Sequence, residues 1–234
     1  MTALAVPVQT KIYGDSLMKG VVTDPLTFRY RATMQRHIQR FEELFSLSVG
    51  NASRFGQTAE KGQALVEKDI ADGACCAYAL LEFGGNDCDF DWQAVSDNPA
   101  HPHKPFTEFP RFVEIMQSMV NALRAVGTTP VLMTLPPIDA ERYFAFISRK
   151  KDPARILQFL GDVQMIYRHH ELYSNAVEKI AREMETPLID VRSRFLNRCQ
   201  FQTLIGPDGI HLNEAGYEVL CGEINGFITS RREG

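Results

Sequence analysis

No stretch of the sequence approaches the roughly 18 consecutive apolar residues of a membrane-spanning helix. The start also lacks a basic flank, and Lys11 interrupts the apolar run before it reaches signal-peptide length, so an export signal is not expected. Charge of one sign is not in excess either: 25 Lys and Arg stand against 29 Asp and Glu, a formal net charge of -4. That balance argues against nucleic acid as a partner, because phosphate binding needs clustered basic side chains. The densest basic stretch, Arg149-Lys150-Lys151, reads as a solvated loop. Cysteine is sparse and odd in number, five in all, at positions 75, 76, 88, 199 and 221, without the paired spacing of a zinc site. Reduced thiols in a cytoplasmic protein fit this usage. Cys75 and Cys76 read as small buried hydrophobes. No Gly-x-Ser-x-Gly occurs, which disfavours the nucleophile elbow of an α/β-hydrolase, and no phosphate-binding glycine loop occurs.

What is present is an alternation of strand and helix patterns, with 44% hydrophobic and 23% charged residues. It predicts a single α/β domain over residues 1–234. Strands are expected at Val6 to Tyr13, Leu47 to Gly50, Ala74 to Phe83, Pro130 to Leu135 and Leu188 to Val191. The third is continuously apolar or small until Glu82, as in a strand buried on both faces. Helices are expected at Thr33 to Phe45, Thr58 to Ile70, Phe109 to Val126, Pro153 to Met184 with a break at Gly161, and Asn213 to Ile228 capped by Asn213. The segment from Asp87 to Pro110 is an irregular excursion and a candidate lid or pocket wall. A second loop follows the Pro136-Pro137 pair. Five strands with intervening helices predict a three-layer α/β/α sandwich, with ligands at the carboxyl ends of the strands.

Those ends carry Gly14-Asp15-Ser16-Leu17, Asn51-Ala52-Ser53-Arg54-Phe55-Gly56-Gln57-Thr58 and Gly84-Gly85-Asn86-Asp87, while Asp208-Gly209-Ile210-His211 precedes the last helix. Together they offer a hydroxyl, an imidazole, a carboxylate and amide donors. Acyl transfer from an ester uses that whole set: a nucleophile, a base, an acid that orients the base, and donors for the oxyanion.

In these four blocks, taken in order, the chain resembles the SGNH hydrolases, also called the GDSL esterase/lipase family. The resemblance implies a flavodoxin-like five-stranded parallel sheet and an acyl-serine mechanism without a cofactor. It makes Ser16 the nucleophile, His211 the general base and Asp208 its orienting acid. It assigns the oxyanion hole to the backbone N–H groups of Ser16 and Gly56 and the side-chain amide of Asn86. Two departures from the pattern stand out: Ser53 where a glycine is common, and Leu212 where a proline often follows the histidine. Asp15 and Asp87 read as structural carboxylates, and Asn51 as a bond across to the nucleophile turn.

The substrate implied is a small-molecule ester, with a short acyl or acetyl group on a small molecule, lipid or carbohydrate. Phe90, Trp92, Arg142, Tyr143 and Phe144, in the loops after strands three and four, are candidate pocket residues. Metal binding is not expected. Asp87, Asp89 and Asp91 alternate as in a calcium loop, but Trp92 stands where glycine is needed and Asn98 where the bidentate glutamate belongs. His101 and His103 read as surface loop residues, and His169 and His170 as helix-surface or packing residues. Two other functions would use the same residues: an acyltransferase passing the acyl group to an alcohol, and a binding module of this fold without turnover.

Overall fold

Alternating side chains make the first strand a divider between two cores. In β1 (Val8–Gly14) Ile12 points to one face of the sheet and Tyr13 to the other, each buried in a different hydrophobic cluster. The structure, a computed structural model, describes residues 7–74 and 76–233. After β1 come a small hairpin of β2 (Val21–Thr23) and β3 (Tyr30–Ala32), then α1 (Met34–Phe45), β4 (Leu47–Asn51), α2 (Ala59–Ala71) and β5 (Tyr78–Glu82). The order continues with α3 (Trp92–Asp97), α4 (Phe109–Ala125), β6 (Thr129–Met133), α5 (Ala140–Ile147), α6 (Pro153–Leu160) and α7 (Gln164–Glu183). It closes with β7 (Leu188–Ile189), α8 (Val191–Leu196) and α9 (Glu214–Glu233). The main sheet has five strands in the order β4-β1-β5-β6-β7, every neighbouring pair parallel. This is the flavodoxin-like order, and its direction of growth reverses between β1 and β5, where ligands gather in such sheets.

One face is covered by α1, α8 and α9, which bury Ile38, Phe41, Phe195 and Tyr217 against Ile12 and Leu80. The other is covered by α2, α4 and α7, with Val66, Phe112, Met116 and Val177 against Tyr13, Leu81 and Leu132. A three-layer α/β/α sandwich results. Truncating a fully buried aromatic such as Phe112 in a layer of this kind costs about 3–5 kcal/mol.

The expected strands and long helices are present with shifted ends. β5 begins at Tyr78, four residues inside the expected strand, because its pairing with β1 starts at Thr10↔Tyr78. Val6 and Cys75 lie outside the described residues. β7 stops at Ile189 because Asp190 turns to cap α8, its carboxylate accepting the Ser193 N–H. Asn213 caps α9 as expected, accepting the Gly216 N–H at 3.0 Å, and that helix runs on to Glu233.

The two segments expected as loops are corrected: the first contains α3 and the second is largely α5. Together with α6 they build a third hydrophobic cluster, including Trp92, Val95, Ile138, Tyr143, Ile147 and Ile156. Arg142, Tyr143 and Phe144 therefore sit on a helix, whose first turn is set by Asp139 accepting the Arg142 N–H.

Candidate active site

Gly14 closes β1, and the chain turns so that Asp15 and Ser16 lie at the sheet's carboxyl edge. The turn is pinned from both sides: Leu17 N–H donates to Asp15 Oδ1 at 2.8 Å, and Asn51 Nδ2 donates to the Met18 carbonyl at 2.9 Å. Ser16 Oγ lies 2.9 Å from His211 Nε2, and His211 Nδ1 lies 2.7 Å from Asp208 Oδ2. Asp208 also accepts the N–H groups of Ile210 and His211 on Oδ1, while the Thr23 hydroxyl donates to Oδ2. Burial works to raise the Asp208 pKa, but the hydrogen bond and charge of His211, with Thr23, prevail and hold it below the usual range. Asp208 is thus an ionised acceptor that fixes Nδ1 as the protonated ring nitrogen, leaving Nε2 free to accept from Ser16.

Opposite Ser16, the Asn86 amide is held by two acceptors, Asp15 Oδ2 at 2.7 Å and the Gln57 carbonyl at 3.3 Å. The second contact ties Asn86 to the segment that carries Gly56. Gly56 has φ of +67°, a conformation that side chains with Cβ rarely adopt. Of the two departures, Ser53 is buried with its hydroxyl lacking a hydrogen-bond partner in the described structure, while its N–H donates to Asn51 Oδ1 at 3.0 Å. Leu212 is fully buried and pairs antiparallel with Ile205, closing the turn that presents His211.

Beneath the turn lies a carboxyl pair. Glu82, the last residue of β5, accepts the Asp15 N–H at 3.3 Å, and both side chains are buried. Burial pushes both pKa values up, and Glu82 further, because the Asp15 charge adds to it. Asp15 collects N–H donors from Leu17 and Asn86, so Glu82 is the protonated member. Asp87 holds the start of α2 by accepting the Ala59 N–H at 2.9 Å, and burial pushes its pKa up to about 6. Cys88 is buried, its Sγ donating to the Gly85 carbonyl, and desolvation keeps it a thiol.

A cavity of about 330 Å³ opens beside Ser16 and runs from Asn86 under the third hydrophobic cluster. That is at the lower end of the roughly 300–1,000 Å³ of small-molecule pockets. Of the sequence-predicted pocket residues, Phe90, Trp92 and Tyr143 line it. Asp89 fixes two of them, accepting from Trp92 Nε1 at 2.7 Å and from the Tyr143 hydroxyl at 2.6 Å. Arg142 and Phe144 do not line it. The Arg142 guanidinium reaches away to the Gln202 and Ile205 carbonyls at 2.9 and 3.1 Å, and Phe144 packs within the third cluster. Asp87, Asp89 and Asp91 have separate partners, since Asp91 caps α3. Among the described residues no group of His, Cys, Asp or Glu side chains is arranged to hold a metal.

His169 and His170, expected on a helix surface or in packing, both line the cavity from α7. His169 Nδ1 lies 2.9 Å from the Cys88 carbonyl, and burial drives the His170 pKa down to about 3, so its ring is neutral. Sequence reasoning missed Thr23 and Glu82. The Val21-Val22-Thr23 and Tyr30-Arg31 runs on either side of Asp24-Pro25 carried a hairpin signal. Glu82 carried a weaker one, an acidic residue ending an otherwise apolar strand.

The family model described as GDSL-like Lipase/Acylhydrolase matches residues 12–219. The GDSL esterase/lipase CPRD49 of Arabidopsis thaliana is 26% identical over 150 residues, 63% of this chain and 52% of that protein. This chain therefore aligns with about half the length of that plant relative. YqeF of Bacillus subtilis, named an uncharacterized lipoprotein, is 24% identical over 89% of this chain and 84% of its own. Among solved structures, a lipase/acylhydrolase from Enterococcus faecalis superposes with a TM-score of 0.66 at 18% identity, covering 96% of each chain. The acetylxylan esterase Axe2 of Geobacillus stearothermophilus, as a catalytic mutant, gives 0.65 at 14%, also over 96% of each chain. These structures share the fold. With a sequence model that runs from the first strand into the last helix, this chain belongs to the GDSL-like lipase/acylhydrolase family.

Proposed function

We propose that the protein is a serine esterase, residues 1–234 forming one catalytic domain. The observation that carries this is the unbroken chain from Ser16 Oγ through His211 to Asp208, at 2.9 and 2.7 Å. Ser16 Oγ attacks the ester carbonyl while His211 Nε2 takes its proton. The carbonyl oxygen becomes an oxyanion between the N–H groups of Ser16 and Gly56 and the amide of Asn86, whose long 3.3 Å bond to the Gln57 carbonyl gives way to it; losing one such donor costs roughly 2.7–4 kcal/mol in barrier. As the intermediate collapses, His211 returns the proton to the alcohol oxygen and the acyl group stays on Ser16. Water, activated by His211, then releases the acid and frees the serine.

The acyl group occupies the cavity, whose walls of Phe90, Trp92, Ile138 and Leu160 suit a short hydrocarbon chain. No cofactor enters this cycle. A reducing, cytoplasmic setting is supported by Cys88, Cys199 and Cys221, which form no disulfide among the described residues. The test is turnover of p-nitrophenyl butyrate. Ser16→Ala and His211→Ala are each expected to lower kcat by at least about a thousandfold with circular dichroism unchanged. Retained turnover in a folded Ser16→Ala variant would contradict the assignment.

A further inference from the structure

Two aromatic rings stand outside the cavity, packed against the imidazole of His211. Tyr30 of β3 meets the His211 ring edge-on, with centroids 5.1 Å apart, and Phe55 lies over the same ring at 6.0 Å and 25°. They also contact each other, at 5.1 Å and 44°. Both face solvent, Tyr30 with 41% and Phe55 with 56% of its surface exposed, and neither lines the cavity beside Ser16. Leaving two such rings in water forgoes hydrophobic stabilisation of a few kcal/mol. An exposed aromatic pair against a catalytic imidazole is therefore informative in a way that scattered surface leucines are not.

The chemistry fixes what this surface meets. The alcohol oxygen must come within hydrogen-bond reach of His211 Nε2 to be protonated as it leaves. With the acyl part in the cavity, as proposed, the alcohol part emerges beside the imidazole, where Tyr30 and Phe55 are its neighbours. Resting on the serine-esterase reading, we infer that Tyr30 and Phe55 form a leaving-group platform selecting esters whose alcohol part is a ring with a flat apolar face. A sugar ring offers such a face through its C–H bonds and an arene through its π surface. A linear alkyl alcohol offers neither and gains little there. The platform is held in place by the catalytic residues' own supports. Tyr30 pairs with Thr23, the residue whose hydroxyl donates to Asp208, and Phe55 immediately precedes Gly56. The Tyr30 phenol, its pKa pushed up to about 12 by burial and the Asp208 charge, remains a neutral O–H group.

Esters that share an acyl group pass through the same acyl-enzyme, so only acylation, read as kcat/KM, senses the alcohol. The experiment measures kcat/KM of the wild type, Tyr30→Leu, Phe55→Leu and the double variant on ethyl butyrate, phenyl butyrate and a methyl glucoside monobutyrate. Leucine keeps apolar cover over His211 but removes the ring. The platform predicts that the double variant loses about tenfold more on a ring ester than on ethyl butyrate. The phenyl and glucoside arms tell which ring is preferred. With the alcohol held constant, the preference between acetyl and hexanoyl esters stays as in the wild type. Equal losses on all three butyrates, or none, would overturn the platform and leave the esterase reading standing. Failure of the wild type to cleave any of the esters would instead overturn the esterase reading, and the platform with it.

Discussion

The hydrogen bond from the Thr23 hydroxyl to Asp208 Oδ2 sits one step behind the imidazole. A carboxylate that orients a histidine works only while its own geometry is fixed, and Asp208 gets that geometry from two backbone N–H groups and one hydroxyl. A charge-assisted bond of this kind is worth about 1.5–3 kcal/mol. Thr23→Val is therefore expected to lower kcat/KM by roughly ten- to a hundredfold, while Thr23→Ser restores most of it; steady-state kinetics on p-nitrophenyl butyrate decides. Equal activity in Thr23→Val would mean that the backbone donors suffice. Ser16, Asp208, His211, Gly56 and Asn86 could be proposed from the sequence because they stand in the four short blocks that carry the family resemblance. Thr23 and Glu82 could not. Their roles depend on contacts 185 and 67 residues away along the chain, which no local pattern encodes.

At the scale of elements, aspartate capping explains what was legible and what was not. The long helices announce themselves by periodicity and the five strands of the main sheet by short apolar runs, while the hairpin of β2 and β3 does neither; α6 is marked by Asp152 with Pro153 at its first position. The short helices α3, α5 and α8 offer too few turns for a period, yet each begins at a capping aspartate, Asp91, Asp139 and Asp190. Reading those caps as helix starts would have turned both supposed loops into the helical wall of the cavity. That wall is locked to the catalytic turn at Gly209. Its carbonyl accepts the Asp139 N–H at 2.8 Å, its φ is +82°, and an added Cβ would lie 2.4 Å from the Tyr143 backbone nitrogen. Gly209→Ala must then push α5 away or distort the Asp208-to-His211 turn. We expect a loss of more than 2 kcal/mol in stability by denaturant unfolding, on the order of a left-handed strain plus a backbone clash. A stability within about 0.5 kcal/mol of wild type would show that α5 yields freely.

Across the whole molecule, the parallel sheet gathers four separated segments at one edge, and the reversal of strand order between β1 and β5 leaves room there for Ser16 and Asn86. The third hydrophobic cluster walls the cavity beside Ser16, while Tyr30 of the hairpin and Phe55 of the Gly56 segment pack on the His211 ring outside it. On the proposed reading, the acyl and alcohol parts of a substrate meet different surroundings, one an apolar cavity, the other exposed and aromatic. No helix among the described residues is long and apolar enough to cross a membrane. The account depends above all on Ser16 being made nucleophilic by His211. Mass spectrometry after incubation with a fluorophosphonate probe tests this directly. The account predicts one adduct on Ser16 in the wild type and almost none in folded His211→Ala; an unlabelled wild type, or equal labelling without the imidazole, would contradict it.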